Sequence, residues 1–518
     1  AGFVFGLLIL VGHFNTCEYV LLGLFLLTIY QLILFKERVR AAVYALIATV
    51  FAFAVAAVLI VPTYELVMQS NRASLTYEKQ SEGFSLNPYG LKGLISPNLH
   101  NVLSDDPIKN FDGSVNITQS YLYVGVLPLL LALFFIFSKN KYKWFFVVFG
   151  FLTLFAAFGK YAPVNLFLFN YFPGFNKARM AVQIMGVAFF SLSIVTALGA
   201  EAIFANVLKF SKKKFLKIII SIFFVLLCLA SAYFILSNGY DKRFYSEAVN
   251  PNTVFDSADE ALITGKLDVD DRPFRIADEL PVFSQNKWEY YGFENVWGNG
   301  GIKIKKYYDL FERTGPTEAK PINDNLFDFL NVKYVFTKRE LPPEYFEKLN
   351  TENFYLNRNS LPRAYFVDDY VVEKSSEKQL ELIKNGEIDF VNKVLLEANP
   401  SYYGNVSRKE ISERSVKWID KQPSYIKFEV ASPSDSILVL SEVDYDGWNL
   451  KVDGETEKYL AANHAFRAVP LKTGAHTVEF EYRPVSVYLG ALISIVSVLS
   501  FAGVGVYLLI KNRKWKKS

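Results

Sequence analysis

Six side chains in the first 180 residues are of types that do chemistry at a membrane surface: His13, Glu18, Glu65, Arg72, Lys177 and Arg179. Ionisable groups at or just beyond membrane depth are costly unless they are used or paired. Glu65 falls a few residues past the end of an apolar run, where a carboxylate can serve as a general base or a metal ligand. Arg72 and Arg179 carry planar guanidinium groups that can grip a phosphate through two parallel hydrogen bonds, and Lys177 adds a point charge beside Arg179. The same residues also admit a purely structural role, with Glu65 paired to an arginine and the cations anchoring helix ends. A second set, Trp448, His464, Phe466 and Arg467, has the composition of a sugar-stacking patch. Its bland alternative is that Trp448 lies in a core and Arg467 is solvated.

Other motifs carry less. Asp268-Val269-Asp270 forms a DxD that can hold a metal between phosphates, but no nucleotide-binding βαβ pattern surrounds it and the acidic run continues through Asp271, so it reads as a solvated turn. Gly298, Gly300 and Gly301 in WGNGG read as a tight turn, lacking the strand and helix that a phosphate cradle needs. Walker loop, HExxH and GxSxG motifs are absent, which argues against an ATPase, a zinc protease or a serine hydrolase. Asn116 and Asn405 fit the glycosylation acceptor pattern, which arises often by chance. Cys17 and Cys228 are the only cysteines, so neither a disulfide framework nor a cysteine-based metal site is built here. No cofactor is called for, although a divalent metal is compatible with the carboxylates.

The elements that must position these residues are set by hydrophobicity. The 518 residues are 52% hydrophobic and 20% charged, and that average covers a membrane half and a water-soluble half. Residues 215–236, FLKIIISIFFVLLCLASAYFIL, are long enough to cross a bilayer, and KFSKKKFLK before them marks the cytoplasmic side. Residues 1–11 resemble the outer end of a truncated helix, and the chain is expected to lack its beginning. Further spans are expected over 19–35, 41–61 (ending at Pro62), 121–137, 144–158, 180–204 and 485–510, about seven complete spans plus the truncated one. KERVR, KNKYK, the lysine cluster and the tail KNRKWKKS then all fall on one side. The net charge of +4 comes largely from such clusters, which reads as topology and not as nucleic-acid binding. Residues 62–120 and 159–179 are outer loops, and NLFLFNYF in the second suits an interfacial or re-entrant helix stopped by Pro173 and Gly174.

The domains expected are a transmembrane domain over 1–236, an outer mixed α/β domain over 237–422, a membrane-proximal antiparallel β-sandwich over 423–484, a final span over 485–510 and a basic cytoplasmic tail over 511–518. In the mixed part, RPFRIAD and VKYVFT suit short strands, and 376–385 suits a helix with Ser376 as N-cap, Gln379 closing a capping box and Gly386 ending it. From Tyr425 the period becomes two in YIKFEVA, ILVLSE, WNLKV, AFRAVPL and HTVEFEY, with hairpin turns at Asp453-Gly454 and Thr473-Gly474.

Several stretches resemble the YfhO-like bacterial membrane proteins, related to the GT-C class of polytopic glycosyltransferases. They are GHFNTCEY (12–19), VPTYELVMQSNRASLTYE (61–78), SPN (96–98), YVGVLPLLLAL (123–133), FPGFNKARM (172–180), LNVKYVF (330–336) and the long 444–484 stretch from DYDGWNLKVDG to EYRP. The resemblance implies a multi-pass protein of the bacterial cytoplasmic membrane, with its large soluble domain outside. It implies transfer of a sugar from a polyprenyl-phosphate carrier to an envelope glycopolymer, such as a teichoic acid. In that class the acidic catalytic residue typically lies in the first outer loop, which is expected to be missing from this chain, so the resemblance names no catalytic base. Glu65 is carried over as a weak candidate, with Arg72, Lys177 and Arg179 for the lipid phosphate and Trp448, Phe466 and Arg467 for the glycan. The alternatives are a flippase or carrier-binding partner without catalysis, and a structural envelope protein with a glycan-binding module.

Overall fold

The computed structural model describes residues 1–34, 38–81, 85–95, 122–178, 181–210, 214–243, 267, 273–279, 287–296, 302–311, 326–349, 353–400 and 413–515. The chain divides into two compact units. One comprises Ala1–Ile60, Ser74–Phe255 and Gly490–Ser518, the other Val61–Ala73 and Asp256–Leu489.

The first unit is helical. Among the described residues five helices are long and apolar enough to cross a membrane: Phe14–Leu34, Arg38–Val55, Ala181–Asn206, Phe215–Ser237 and Val485–Lys511. Two of the expected spans fall short of this length. The helix within 121–137 is Val126–Phe137, and that within 144–158 is Lys143–Ala157, of 15 residues. At 1.5 Å per residue the longer reaches about 22 Å, against a hydrocarbon core of about 30 Å. Both still pack closely. A side chain at Gly199 would run into the Leu131 carbonyl, one at Gly23 would meet the Phe149 ring at 3.0 Å, and Thr196 donates to the Pro128 carbonyl at 3.1 Å. Small residues thus let the backbones approach, as packing in lipid requires. The aromatic rings of Tyr19, Phe145, Phe149, Phe158 and Phe175 fill the core.

The helix expected over 41–61 is interrupted. Arg38–Val55 ends at a turn at Ala56, and a second helix, Ala57–Met68, carries Pro62 within it. The Ser494 hydroxyl accepts from the Val58 N–H at 2.9 Å and lies 3.4 Å from the Ala54 carbonyl, entering the backbone ladder between residues four apart. An inserted side chain is one of the few things that breaks a helix locally. In the segment expected to hold an interfacial helix stands a nine-residue helix, Pro163–Tyr171, followed by Gly174 in left-handed conformation at φ 89°.

The second unit is built on three sheets. Strands β1 (Arg275–Asp278), β2 (Glu294–Asn295), β3 (Val332–Phe336), β4 (Phe346–Lys348) and β5 (Phe354–Asn357) form a mixed sheet in the order β2-β1-β3-β5-β4. A six-stranded sheet takes β6 (Ala364–Val367), β7 (Asp369–Val372), β8 (Lys393–Leu396), β11 (Ser436–Leu440), β14 (Leu460–Ala462) and β15 (Phe466–Leu471) in the order β6-β11-β15-β14-β8-β7. The third is fully antiparallel, β13-β12-β16-β10-β9, from β9 (Ser415–Gln422), β10 (Tyr425–Ser432), β12 (Trp448–Val452), β13 (Glu455–Glu457) and β16 (Gly474–Tyr482).

The strands read from period two are present, and their alternation explains the core. Ile426, Phe428 and Val430 of β10 point inward with Leu438 and Leu440 of β11 and Val478 and Phe480 of β16, one apolar cluster shared by both larger sheets. Each fully buried side chain of this kind contributes about 1.5–3 kcal/mol over exposure. Asp453 and Gly454, at φ 52° and 87°, make the expected turn between β12 and β13. The six-stranded sheet does not respect a boundary near residue 422, since β6 pairs with β11 and β8 with β14. The helix Ser376–Lys384 forms as expected, but its cap is Ser375, whose hydroxyl accepts from Lys378 N at 3.4 Å, while Gln379 donates to the Glu373 carbonyl.

A buried ionic cluster ties the sheets of this unit together. Arg363, only 2% exposed, bonds Glu442 at 2.9 Å and also Glu294. Arg275 donates to the Leu330 and Ser441 carbonyls at 2.9 and 2.8 Å. Lys421 completes the ring on Glu294. Burial opposes the Glu294 charge, but Arg363, Lys421 and Arg275 outweigh it and hold the carboxyl down at about 2. Every charge here has its opposite.

Candidate functional site

The site is assembled where residues 61–73 meet the sheets of their own unit. Because the helix runs on to Met68 through Pro62, Glu65 sits on its last turn, not in the loop expected to open at Pro62. Beyond it, Ser70 bridges Ile304 antiparallel, Lys305 N donates to the Gln69 carbonyl at 2.8 Å and Asn71 N to the Lys303 carbonyl at 2.9 Å. Gln69 Nε2 then donates to Asp446 Oδ2 at 2.7 Å, fixing the Asp444-Tyr445-Asp446-Gly447-Trp448 stretch against the segment.

Gly447 turns that stretch. Its φ is 107°, and a Cβ there would meet the Tyr482 ring at 3.0 Å and Pro484 Cα at 3.1 Å, so only glycine fits. Arg483 N donates to the Gly447 carbonyl at 2.8 Å, and Trp448 pairs across the strands with Tyr482. The outcome is a cleft of about 380 Å³ lined by Pro62, Thr63, Glu65, Leu66, Ile304, Tyr445, Tyr482 and Ser486. The Tyr445 and Tyr482 rings stand 6.2 Å apart. Burial first, and the negative charge of the nearby Glu65 carboxylate second, hold the Tyr445 phenol well above the usual range. Tyr482 is raised by burial and then by Glu65 and Asp446. Ser486 is 7% exposed, and among the described residues its hydroxyl has no hydrogen-bond partner. A carboxylate, two phenols and an unsatisfied hydroxyl thus converge in one space. They can accept and donate hydrogen bonds to a ligand's hydroxyl groups and take a proton from one of them.

The other expected site residues are placed differently. Arg72 is half-buried in the same unit, its backbone N donating to Ser70 Oγ at 3.0 Å, and it does not line the cleft. Lys177 is half-buried in the helical unit, ending a single turn of Phe175–Lys177. Arg179, Asp268 and Asp270, Gly298, Gly300 and Gly301, Asn116 and Asn405 lie outside the described residues. His13 is exposed, with Nδ1 2.7 Å from Thr16 Oγ1. Glu18 is 2% exposed with both carboxylate oxygens unbonded, and a Cβ on Gly174 would come within 2.7 Å of Oε1.

The patch expected on the sheets is mostly interior. Phe466 is fully buried, with Phe329 and Tyr307 edge-on to its ring, which leaves no face for a sugar. Arg467 is neither solvated nor on a surface: it is 1% exposed, its guanidinium 4.2 Å above the Trp448 ring and 4.6 Å from that of Phe480. Burial first of all lowers it to about 10. Trp448 is half-buried, with one face taken by Arg467. His464, at φ 68° and 1% exposed, is held down at about 4, chiefly by burial.

Tyr445, Tyr482 and Ser486 are the residues that sequence reasoning missed. Both tyrosines lie in the 444–484 stretch and Ser486 two residues beyond it, and no local pattern announces that they meet. Among the described residues no group of three or more His, Cys, Asp or Glu side chains could hold a metal.

Residues 326–494 match the family described as "Bacterial membrane protein YfhO". A protein of Bacillus subtilis (strain 168), described as "Uncharacterized protein YfhO", is 25% identical over 168 residues, covering 28% of this chain and 19% of that one. The match thus spans about a fifth of the relative's length. No solved structure matches.

Proposed function

We propose that this YfhO-like multi-pass membrane protein transfers a sugar from a polyprenyl-phosphate carrier to a cell-envelope glycopolymer on the outer face of the bacterial cytoplasmic membrane. The observation that carries the reading is the Glu65 cleft, where a carboxylate, two phenols and, among the described residues, an unsatisfied hydroxyl line one space. In the proposed step Glu65 takes the proton of the acceptor hydroxyl as its oxygen bonds to the anomeric carbon. The bond from that carbon to the carrier's phosphate oxygen breaks, and the phosphate leaves with the electron pair. Arg72 in the same unit is proposed to meet the phosphate charge. Lys177 and Arg179, in the helical unit, are proposed for it on residue type alone. The two larger sheets, read as a sandwich, would hold the acceptor glycan, with the half-buried Trp448 as the contact.

The test is transfer by the protein in nanodiscs, supplied with radiolabelled polyprenyl-phosphate hexose and crude envelope polymer. Label moves to polymer with the wild type, and Glu65→Gln lowers the rate about a hundredfold. Label that stays on the lipid, with an acceptor proven competent, overturns the reaction. Lipid that changes leaflet without losing its sugar replaces it with carrier translocation.

A further inference from the structure

We propose that the Glu65 cleft is the subsite for an uncharged, hydroxyl-bearing sugar ring, gripped by Tyr482 and Ser486, and that it excludes the phosphate. The inference rests on the proposed reaction only for the ring's role as a reactant. Its chemistry comes from the lining.

Eight described residues line the cleft; among them none is basic and the one charged group is Glu65. A phosphate placed there would face a carboxylate with no cation in the wall, and burying such a pair of like charges is unfavourable. A sugar hydroxyl meets no such penalty. It can donate to Glu65, and it can either donate to or accept from the buried Ser486 hydroxyl, which has no other partner among the described residues. Leaving such a group unsatisfied costs free energy that a ligand hydroxyl would recover. The remaining walls are apolar. The Tyr445 and Tyr482 rings, tilted 49° to each other, with Leu66 and Ile304, suit the C–H faces of a pyranose. Tyr482 is also a fixed wall. Trp448 packs on it at 5.3 Å, and Gly447 lies so close that a Cβ there would meet the ring at 3.0 Å. A ring held from behind presents its free face at little entropic cost.

The experiment uses the full chain in nanodiscs of uncharged lipid, with a neutral glucose trisaccharide and inorganic phosphate as probes, and reads binding by saturation-transfer NMR and titration calorimetry. The trisaccharide binds the wild type saturably. Tyr482→Ala weakens it about tenfold, the upper range of a ring contact, and Ser486→Ala about fivefold. Tyr482→Phe, which keeps the ring, binds within about twofold. Excess phosphate does not displace the sugar. Absence of saturable binding, displacement by phosphate, or wild-type affinity in Ser486→Ala and Tyr482→Ala overturns the proposal, and Ser486→Ala and Tyr482→Phe keep the test decisive should Tyr482→Ala fail to fold. Sugar binding without transfer overturns the reaction and upholds the subsite. Transfer with no sugar binding at the cleft does the reverse.

Discussion

Glu442 and Glu65 sit in the same unit, and their surroundings divide the labour of charged groups in this protein. Glu442 is bonded by Arg363 at 2.9 Å and approached by Arg275 and Lys421 at 4.0 Å, which lowers its carboxyl despite the opposing burial. Glu65 is met by a phenol, and the cleft around it holds a hydroxyl that bonds nothing among the described residues. Saturation on one side and deficit on the other separate a group that fixes the fold from one proposed to meet a ligand. Glu18, in the helical unit, is a third case, buried with both oxygens unbonded.

The contrast can be broken most forcefully at the saturated end. Arg363→Ala strands Glu294 and Glu442 and is expected to destabilise the protein by about 3–5 kcal/mol in denaturant titrations. A loss below about 1 kcal/mol would remove the cluster from its structural role. Next comes the unsatisfied end, where Glu65→Gln costs about a hundredfold in transfer, some 2.7 kcal/mol, and leaves the unfolding midpoint in place.

His464 sharpens the comparison through pH. Its imidazole is held at about 4 against an ordinary 6.5, so the unfolded chain takes up its proton first as the pH falls. The penalty is absent above pH 6.5 and grows as the pH drops to about 4, reaching roughly 3 kcal/mol. In His464→Gln the stability lost between pH 7 and 4.5 should shrink by about that amount; an unchanged loss contradicts the burial argument. The smallest effect expected is at Glu18. Glu18→Gln replaces a buried carboxyl that bonds nothing among the described residues by an amide of similar shape and should shift the melting temperature by no more than about 1–2 °C, whereas a fall of several degrees would reveal a partner.

How much of this was legible in the sequence depends on how local the cause is. Period two gave β10, β11, β12, β15 and β16, and Asp453-Gly454 gave a turn, because a strand face and a hairpin are decided by neighbours in the chain. The pairing of β6 with β11 and of β8 with β14 joins segments far apart, and no local pattern announces it. Arg467 alternates as a surface residue should, yet β15 is central and covered on both faces, so both sides of the strand are interior. Glu65 was identified by type and position. Its cleft was not, since Tyr445, Tyr482 and Ser486 meet it only after Gly447 turns the chain and Gln69 holds Asp446. Ser494 breaking a helix more than 430 residues away in sequence is invisible for the same reason.

The measurement that bears most directly on the Glu65 cleft pairs transfer rate with unfolding midpoint, in one preparation each of wild type, Glu65→Gln and Arg363→Ala in nanodiscs. The account predicts that Glu65→Gln keeps the wild-type midpoint and loses transfer about a hundredfold, while Arg363→Ala loses stability and its folded fraction still transfers. Wild-type transfer by Glu65→Gln, or a collapse of its midpoint like that of Arg363→Ala, would contradict it.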